Sequence, residues 1–171
     1  MTPLLEKYDV KVLLALNQAL QGNKDFFRFL IEGGFPELAA FCSAIWANEE
    51  AMMWLFKNEL PHYAILSNAI DGEEEALEWI KKSCTEVNYI FARACREDQG
   101  ALMWLHKKKL AIFIMLAESV HKILDLQATE NAGPYVMHFG GDYRVTEEMT
   151  AWLKAKQEKQ NEQNADESSL Q

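Results

Sequence analysis

The sequence predicts an all-α protein, an α-solenoid of about five stacked short helical hairpins. Two observations lead to this prediction. The first 125 residues divide into five rows of 25 in which the same chemical types recur, and helix breakers are scarce, with 4 prolines and 8 glycines in 171 residues. A fixed period is typical of repeat architectures, and long stretches without breakers favour helices over a sheet with many turns.

The repeat is visible in four columns of the five rows. The rows begin at Met1, Phe26, Ala51, Ala76 and Ala101. Column four contains Leu4, Phe29, Trp54, Trp79 and Trp104. Column five contains Leu5, Leu30, Leu55, Ile80 and Leu105. Column sixteen contains Leu16, Phe41, Leu66, Phe91 and Leu116. Column nineteen contains Ala19, Ala44, Ala69, Ala94 and Ser119. We expect the tryptophans to stack between hairpins and the small residues to let helices approach closely.

Each row predicts two helices. Apolar residues in columns 1, 2, 4 and 5 form one helical stripe, and columns 12, 15, 16, 19 and 20 form a second. Breaker segments at 33–37, 58–61 and 83–86 separate the stripes, and Pro36 and Pro61 suit a first helical turn. Turn and N-cap residues separate the rows. A single hairpin cannot bury both stripes, so stacking of neighbours is required.

The C-terminal part departs from the period. Row five has no breaker between its stripes, so it forms either one long helix or a tight pair of helices. Beyond it the sequence predicts a cap over 126–145, with a candidate β-hairpin at 133–145, a terminal helix at 146–159 and a disordered polar tail at 160–171. Thr146 is the expected N-cap of the terminal helix, and Trp152 and Leu153 are expected to dock it. Residues 1–159 form one domain.

Several segments resemble the centre of an ankyrin repeat. They are "SAIWANEEAMMWLF" (43–56), "NAIDGEEEALEWI" (68–80) and "RACREDQGALMWL" (93–105). Ala69 and Gly72 match the family's Ala-x-x-Gly helix junction, and an apolar pair follows in the next helix. The period of 25 is shorter than the family's period of about 33, and the residues of the projecting β-hairpin finger are absent. The resemblance implies a fingerless, ankyrin-like scaffold that binds proteins.

Composition excludes several classes of function. The formal net charge of −9 argues against nucleic acid as the main partner, because phosphates are bound by clustered Lys and Arg. Cys42 and Cys95 lie among apolar residues, as buried free thiols do, and Cys84 makes no CxxC spacing with them. The longest apolar stretch is too short to span a bilayer. We therefore expect a cytoplasmic protein without membrane contact, metal or cofactor.

The sequence contains none of the common catalytic motifs, neither HExxH, G-x-S-x-G nor a glycine-rich loop after a strand. We therefore expect a non-enzymatic protein. If this is wrong, the alternative is a helical enzyme or small-molecule binder with a site near His138, which lies beside a glycine turn.

Binding to another protein or peptide is the function that the repeat favours. Columns 14, 18 and 21 share one face of the second helix and change from row to row, as a partner-reading surface does. The residues that we expect to contact a partner there are Trp46, Asn68, Asp71, Tyr89, Arg93 and Arg96. Trp and Arg are enriched at interface hot spots, as is Tyr. In the alternative interpretation, Trp46 packs under the next turn and the arginines pair with nearby acids.

A second surface competes with this face. The outer columns of the first helices contain four apolar residues, Ile31, Met53, Phe56 and Met103. A contiguous exposed apolar patch is a candidate homodimer interface, or the seat of residues 147–155. A self-assembling structural protein is therefore a further alternative.

Overall fold

The computed structural model describes residues 2–130, and within this range the chain is all-helical. Met1 and residues 131–171 lie outside the described residues. A short 3-10 helix at Leu5–Lys7 precedes the α-helices. These are α1 (Val10–Leu20), α2 (Lys24–Glu32), α3 (Pro36–Ile45), α4 (Glu49–Lys57), α5 (Pro61–Asp71), α6 (Glu74–Ser83), α7 (Glu86–Ala94), α8 (Gln99–Lys107) and α9 (Ala111–Glu130).

The helices form two layers. The odd-numbered helices pack side by side in chain order, and each even-numbered helix covers the groove between the two odd-numbered helices that flank it in the chain. The stacking of helical hairpins that the sequence predicts is confirmed. Moreover, α9 packs against α1, so the five inner helices close into a ring. The sequence period did not predict this closure.

Burial follows the columns of the repeat. All members of columns five and sixteen are at most 1% exposed, and all members of column nineteen are at most 6% exposed. The tryptophans of column four, Trp54, Trp79 and Trp104, are partly buried and pack against the core. In α4, α6 and α8 the predicted apolar stripe therefore faces the interior, and the small residues of column nineteen lie where helices meet.

The turns repeat as regularly as the helices. Left-handed backbone occurs in column 22 of the first four rows, at Gly22, Ala47, Gly72 and Glu97, with φ of 88, 61, 101 and 59°. The turn that follows each outer helix has its left-handed residue in column nine, at Gly34, Glu59 and Lys109. Cys84 is extended instead, because it forms an isolated parallel β-bridge with Thr2. Row-to-row equivalence thus extends to individual backbone torsions.

The first row replaces its outer helix with a segment that crosses one end of the ring. The Asn88 side chain joins this segment to α7: its Oδ1 accepts a hydrogen bond from the Leu5 amide, and its Nδ2 donates to the Glu6 carboxylate. The Tyr8 hydroxyl contacts the Glu37 carboxylate at 2.6 Å and the Tyr63 hydroxyl at 2.7 Å. Residues 2–8 therefore cover the N-terminal ends of α3, α5 and α7.

The fifth row is a tight pair of helices, which answers the question that the sequence left open. The chain turns at Lys109, and α9 then runs for 20 residues to Glu130. The cap predicted from 126 thus begins within a helix. The rest of that cap, the candidate hairpin at 133–145, the helix at 146–159 and the tail at 160–171 lie outside the described residues.

Helix α2 is rotated about its axis relative to the other outer helices. Its buried stripe is Phe27, Leu30 and Ile31, whereas Phe26 and Phe29 are 40% and 48% exposed. The prediction that Ile31 is exposed is therefore wrong. The spacing of 27, 30 and 31 is itself a helical stripe, and the packing of α2 between α1 and α3 selects that stripe over the one used in α4 and α8.

Candidate functional site

A cavity of about 610 Å³ opens at the C-terminal ends of the inner helices. We call this end of the ring the C-terminal mouth. The lining residues are Ala47, Asp71, Arg96, His121, Leu124, Asp125, Gln127 and Ala128. They come from the ends of α3, α5 and α7 and from the second half of α9. The N-terminal segment, residues 2–8, covers the opposite end of the ring, at the N-terminal ends of the inner helices.

The repeat explains which side chains reach the mouth. Column 20 is the last buried position at the ends of α1, α3, α5 and α7 and is also buried in α9, and its members are at most 1% exposed: Leu20, Ile45, Ile70, Cys95 and Val120. Column 21 follows it and contains Gln21, Trp46, Asp71, Arg96 and His121. Column 20 is apolar in every row, whereas column 21 differs in every row. One residue position thus separates the core from a variable rim.

Asp71 and Arg96 lie together at this rim. The Arg96 guanidinium donates from Nη1 to the backbone oxygen of Ile70 at 3.3 Å. It also packs against Gly72, where an added Cβ would lie 2.7 Å from Nη1. Gly72 has a positive φ as well, so a side chain there is disfavoured twice. Desolvation raises the pKa of Asp71 above its usual value, and the charge of Arg96 opposes that rise.

His121 connects the rim to α9. Its Nδ1 lies 3.2 Å from the backbone oxygen of Cys95, and its Nε2 lies 3.3 Å from carboxylate oxygens of both Glu97 and Asp125. Gln127 donates to the backbone oxygen of Ile45 at 2.9 Å. The extension of α9 therefore leans over the end of α3 and forms one wall of the cavity.

The remaining predicted partner-binding residues lie elsewhere. Tyr89 and Arg93 do not line the cavity. Arg93 forms a salt bridge with Asp98 at 2.6 Å, and its guanidinium lies over the Tyr89 ring. The Arg93 and backbone contacts lower the pKa of Asp98, the amide of Ala101 contributing most. Pairing of an arginine with a nearby acid, the alternative that the sequence left open, thus describes Arg93.

Trp46 and Asn68 are half-buried beside the mouth rather than in it. Trp46 packs against the core and directly precedes the lining residue Ala47. Ala39 and Ala64, which the sequence pattern placed on the same outward face, are fully buried. The face is therefore a surface only towards its C-terminal end, because its first turn packs inside the ring.

The apolar residues on the outer helices do not form the continuous patch that the sequence suggested. Met53, Phe56 and Met103 are 53%, 51% and 71% exposed, whereas Ile31 is buried. Met53 and Phe56 lie on α4 and Met103 lies on α8, and the exposed acid Glu78 holds the equivalent column of the intervening helix α6. The charged side chain of Glu78 thus separates the exposed methionines of α4 and α8.

Other reactive groups give no second site among residues 2–130. The thiols of Cys42, Cys84 and Cys95 are free and buried, and burial raises the pKa of Cys42 to about 12. No group of three or more potential metal ligands occurs in this range, and no helix in it is long and apolar enough to cross a bilayer. The alternative site near His138 lies outside the described residues.

Part of the cavity could be found from the sequence and part was missed. Asp71 and Arg96 were predicted from column 21. His121 stands in the same column of row five, so continuing the column by one row would have found it. Asp125 and Gln127 gave no such signal, because they belong to the extension of α9 beyond the periodic part of the chain.

Comparison of the chain with protein-family models, with curated proteins and with solved structures gives no match. The cavity is lined by carboxylates, a guanidinium, an imidazole and an amide from the ends of α5 and α7 and from α9. Such groups bind a complementary polar or charged group by hydrogen bonds and ion pairs.

Proposed function

We propose that the chain is a cytoplasmic, non-enzymatic interaction module that binds a peptide segment of a partner protein in the C-terminal mouth. One observation carries the proposal. Column 21 contains a different residue type in every row, and three of its members, Asp71, Arg96 and His121, meet in one cavity. In a repeat protein the constant columns maintain the fold, so a variable column that converges on a cavity suits recognition.

The size of the site suits a segment of a peptide. The volume of about 610 Å³ falls in the usual range of small-ligand sites, roughly 300–1,000 Å³. The resemblance of the repeat to ankyrin repeats, whose families are mostly protein-binding scaffolds, points to the same class. A partner would thus insert one or two side chains at the mouth and lay its backbone across the rim.

The charges of the site select the side chain. Asp71 and Asp125 line the cavity, and Glu97 lies beside His121, whereas Arg96 is the one arginine or lysine that residues 2–130 contribute to the lining. The carboxylates therefore outnumber the permanent cations. A lysine or arginine of the partner fits this balance, and the overall charge of −9 adds long-range attraction for a basic segment.

Selection from a random peptide library tests the proposal. Wild-type protein is expected to enrich peptides with a Lys or Arg, and Asp125→Lys is expected to weaken their binding by at least about tenfold, the factor that 1.4 kcal/mol represents. Glu78→Lys is the matched control, because it makes the same charge change on α6, away from the cavity. An equal loss of affinity in both variants would show that binding responds only to the overall charge of the protein. Failure to enrich any peptide would contradict the interaction module.

Self-association is the second candidate function, supported by the exposed Met53 and Phe56 on α4. Sedimentation of the wild type and of Met53→Glu/Phe56→Glu distinguishes the two. A dimer that the substitution dissociates favours self-association through α4, and a monomer at all concentrations removes this candidate. The third alternative, an enzyme near His138, has no supporting observation in residues 2–130.

A further inference from the structure

The ring has five inner helices and four outer helices, so one groove between inner helices has no outer helix among residues 2–130. Helices α2, α4, α6 and α8 each contact the inner helix before and the inner helix after them. The groove between α9 and α1, which we call the seam, would need a helix that follows α9. The first row cannot supply it, because its outer helix is replaced by the segment that crosses the N-terminal end of the ring.

Apolar side chains are exposed along this seam where their equivalents elsewhere are covered. Met115 of α9 is 43% exposed, whereas Ala40 and Ile90, in the same column, are 0% and 7% exposed. On the other side, Leu14 of α1 is 40% exposed, and its equivalent Ala64 is fully buried. The next exposed apolar residue of α1 is Val10, at 55%. The seam thus has the apolar surface that an outer helix covers in the other grooves.

The sequence after α9 contains a segment of the kind that is missing. Residues 146–156 read "TEEMTAWLKAK", beside "NEEAMMWLFKN" at 48–58 and "EEEALEWIKKS" at 73–83. Thr146 stands in the N-cap column, two acids follow it, and Trp152-Leu153 stands where α4 and α6 have Trp-Leu and Trp-Ile. The acids suit a helix N-terminus, and threonine is a good N-cap. This is the pattern of an outer helix of the ring, displaced from its row by the extension of α9.

The linker is long enough and leaves from the correct end. Every outer helix starts at the C-terminal mouth, where the preceding inner helix ends. Helix α9 extends ten residues beyond Val120, the end position of an inner helix, which is about 15 Å at 1.5 Å per residue. Residues 131–145 then span up to about 50 Å when extended, at about 3.3 Å per residue. The chain can therefore return to the mouth and enter the seam.

We propose that residues 146–156 form the fifth outer helix and dock in the seam between α9 and α1, with Trp152 and Leu153 against the ring. The segment closes the ring on its outer side as α9 closes it on the inner side. This seat differs from the apolar positions on α4, which the sequence alone offered as an alternative.

Labelling of an engineered thiol tests the seat in the full chain. The three native cysteines are buried, so a thiol reagent reports the introduced group. Met115→Cys is the reporter of the seam, and Phe56→Cys, at a position 51% exposed, is the reporter of α4. In an otherwise wild-type chain, Met115→Cys should react at least about tenfold more slowly than Phe56→Cys. The reason is that a segment docked at least about ten times as often as it is undocked protects the thiol for most of the time.

A substitution in the segment should remove this protection. Trp152→Glu/Leu153→Glu is expected to accelerate labelling of Met115→Cys by at least about tenfold and to leave Phe56→Cys unchanged. Ala151→Glu/Ala155→Glu is the matched control, because it adds the same charge in columns that are exposed on α4, α6 and α8. Circular dichroism checks that each variant is folded.

Each remaining outcome overturns the proposal. Acceleration at Phe56→Cys instead of Met115→Cys would place the segment on α4. No difference between the two double variants, together with equal labelling of both reporters in the wild-type chain, would mean that the segment does not dock. Protection that increases with protein concentration would mean that a second copy, not the same chain, covers the seam.

Discussion

Replacement of Glu73 by aspartate is expected to stabilise the protein. Column 23 is the N-cap position before each outer helix, and Asn23, Asn48 and Asp98 all accept hydrogen bonds there from backbone amides of the helix. Glu73 holds the same position before α6 and makes no side-chain cap bond. Its side chain is one methylene longer than that of Asp98, and long side chains cap poorly.

The backbone at Glu73 already has the geometry of a cap. Its φ and ψ are −67° and 112°, compared with −63° and 110° at Asp98, whose carboxylate lies 2.9 Å from the Ala101 amide. Aspartate at 73 should therefore reach the equivalent amide of Ala76 without rearrangement. The expected gain is about 0.5–1 kcal/mol in the free energy of unfolding, in the range measured for N-caps. The formal charge is unchanged, so the interaction with the helix dipole is preserved.

Urea denaturation followed by circular dichroism measures this gain, with Glu73→Ala as the control. At this chain length 1 kcal/mol corresponds to about 2–4 °C in Tm, so a thermal scan gives a second reading. The expected order of stability is Asp, then Glu, then Ala. If Glu73→Asp is no more stable than the wild type, the rows are not equivalent at their turns and the reasoning from one row to another is wrong.

Three further results are expected from equilibrium unfolding. Ser119→Ala should cost about 1–3 kcal/mol, because the buried Ser119 hydroxyl donates to Asn17 across the contact of α9 with α1; a loss under about 0.5 kcal/mol would contradict a tight closure of the ring. Leu55→Ala should cost about 2–5 kcal/mol, whereas Met53→Ala on the same helix should change stability by less than about 0.5 kcal/mol. Similar losses of stability in the two variants would contradict the burial of column five. The contacts of Asp98 lower its pKa from the ordinary value of 3.8, so the stability that they contribute is present above that pH and is lost as the pH falls through the folded-state pKa. The stability difference between the wild type and Asp98→Ala should therefore shrink in acid. A difference that grows in acid would show the sign to be wrong.

Much of the fold could be predicted because each hairpin meets its neighbours in the same way. Column five is apolar in all rows and fully buried in all rows, so a reading of residue types alone identified it. The rotation of α2 could not be read, since Phe26, Phe27, Phe29 and Ile31 offer two helical stripes of similar hydrophobicity. Only the packing against α1 and α3 decides between those stripes.

Closure of the ring lay beyond the sequence for a different reason. Curvature is a small rotation per repeat, which the identity of buried residues does not report. The contacts that close the ring join residues far apart in the chain, such as Asn17 with Ser119, and Glu6 of the N-terminal segment likewise reaches Asn88 of α7 across one end of the ring. In the sequence, these polar side chains give no sign of pairing until the partner across the ring is known.

The residues of the candidate site were predictable only where they belong to a column of the repeat. Asp71 and Arg96 were identified because column 21 varies, whereas Tyr89 and Arg93 vary as well and bind each other and Asp98 instead. Variation of a column therefore selects surface positions but does not separate a binding group from a turn-stabilising one. Arg93 is held in the turn because its guanidinium pairs with the Asp98 carboxylate at 2.6 Å, and that carboxylate also caps α8.

Closure of the ring and the proposed binding of a partner involve the same helix, α9, which would link them energetically. Ser119 of α9 donates to Asn17 of α1, and His121, two residues later, faces the cavity. Gln127 joins the extension of α9 to the end of α3. A ligand held between α9 and the ends of α5 and α7 would therefore bind only the closed ring, and mass action would then stabilise closure. Conversely, a loosened contact between α9 and α1 would lower the fraction of protein that is competent to bind such a ligand, and the apparent affinity would fall by that fraction.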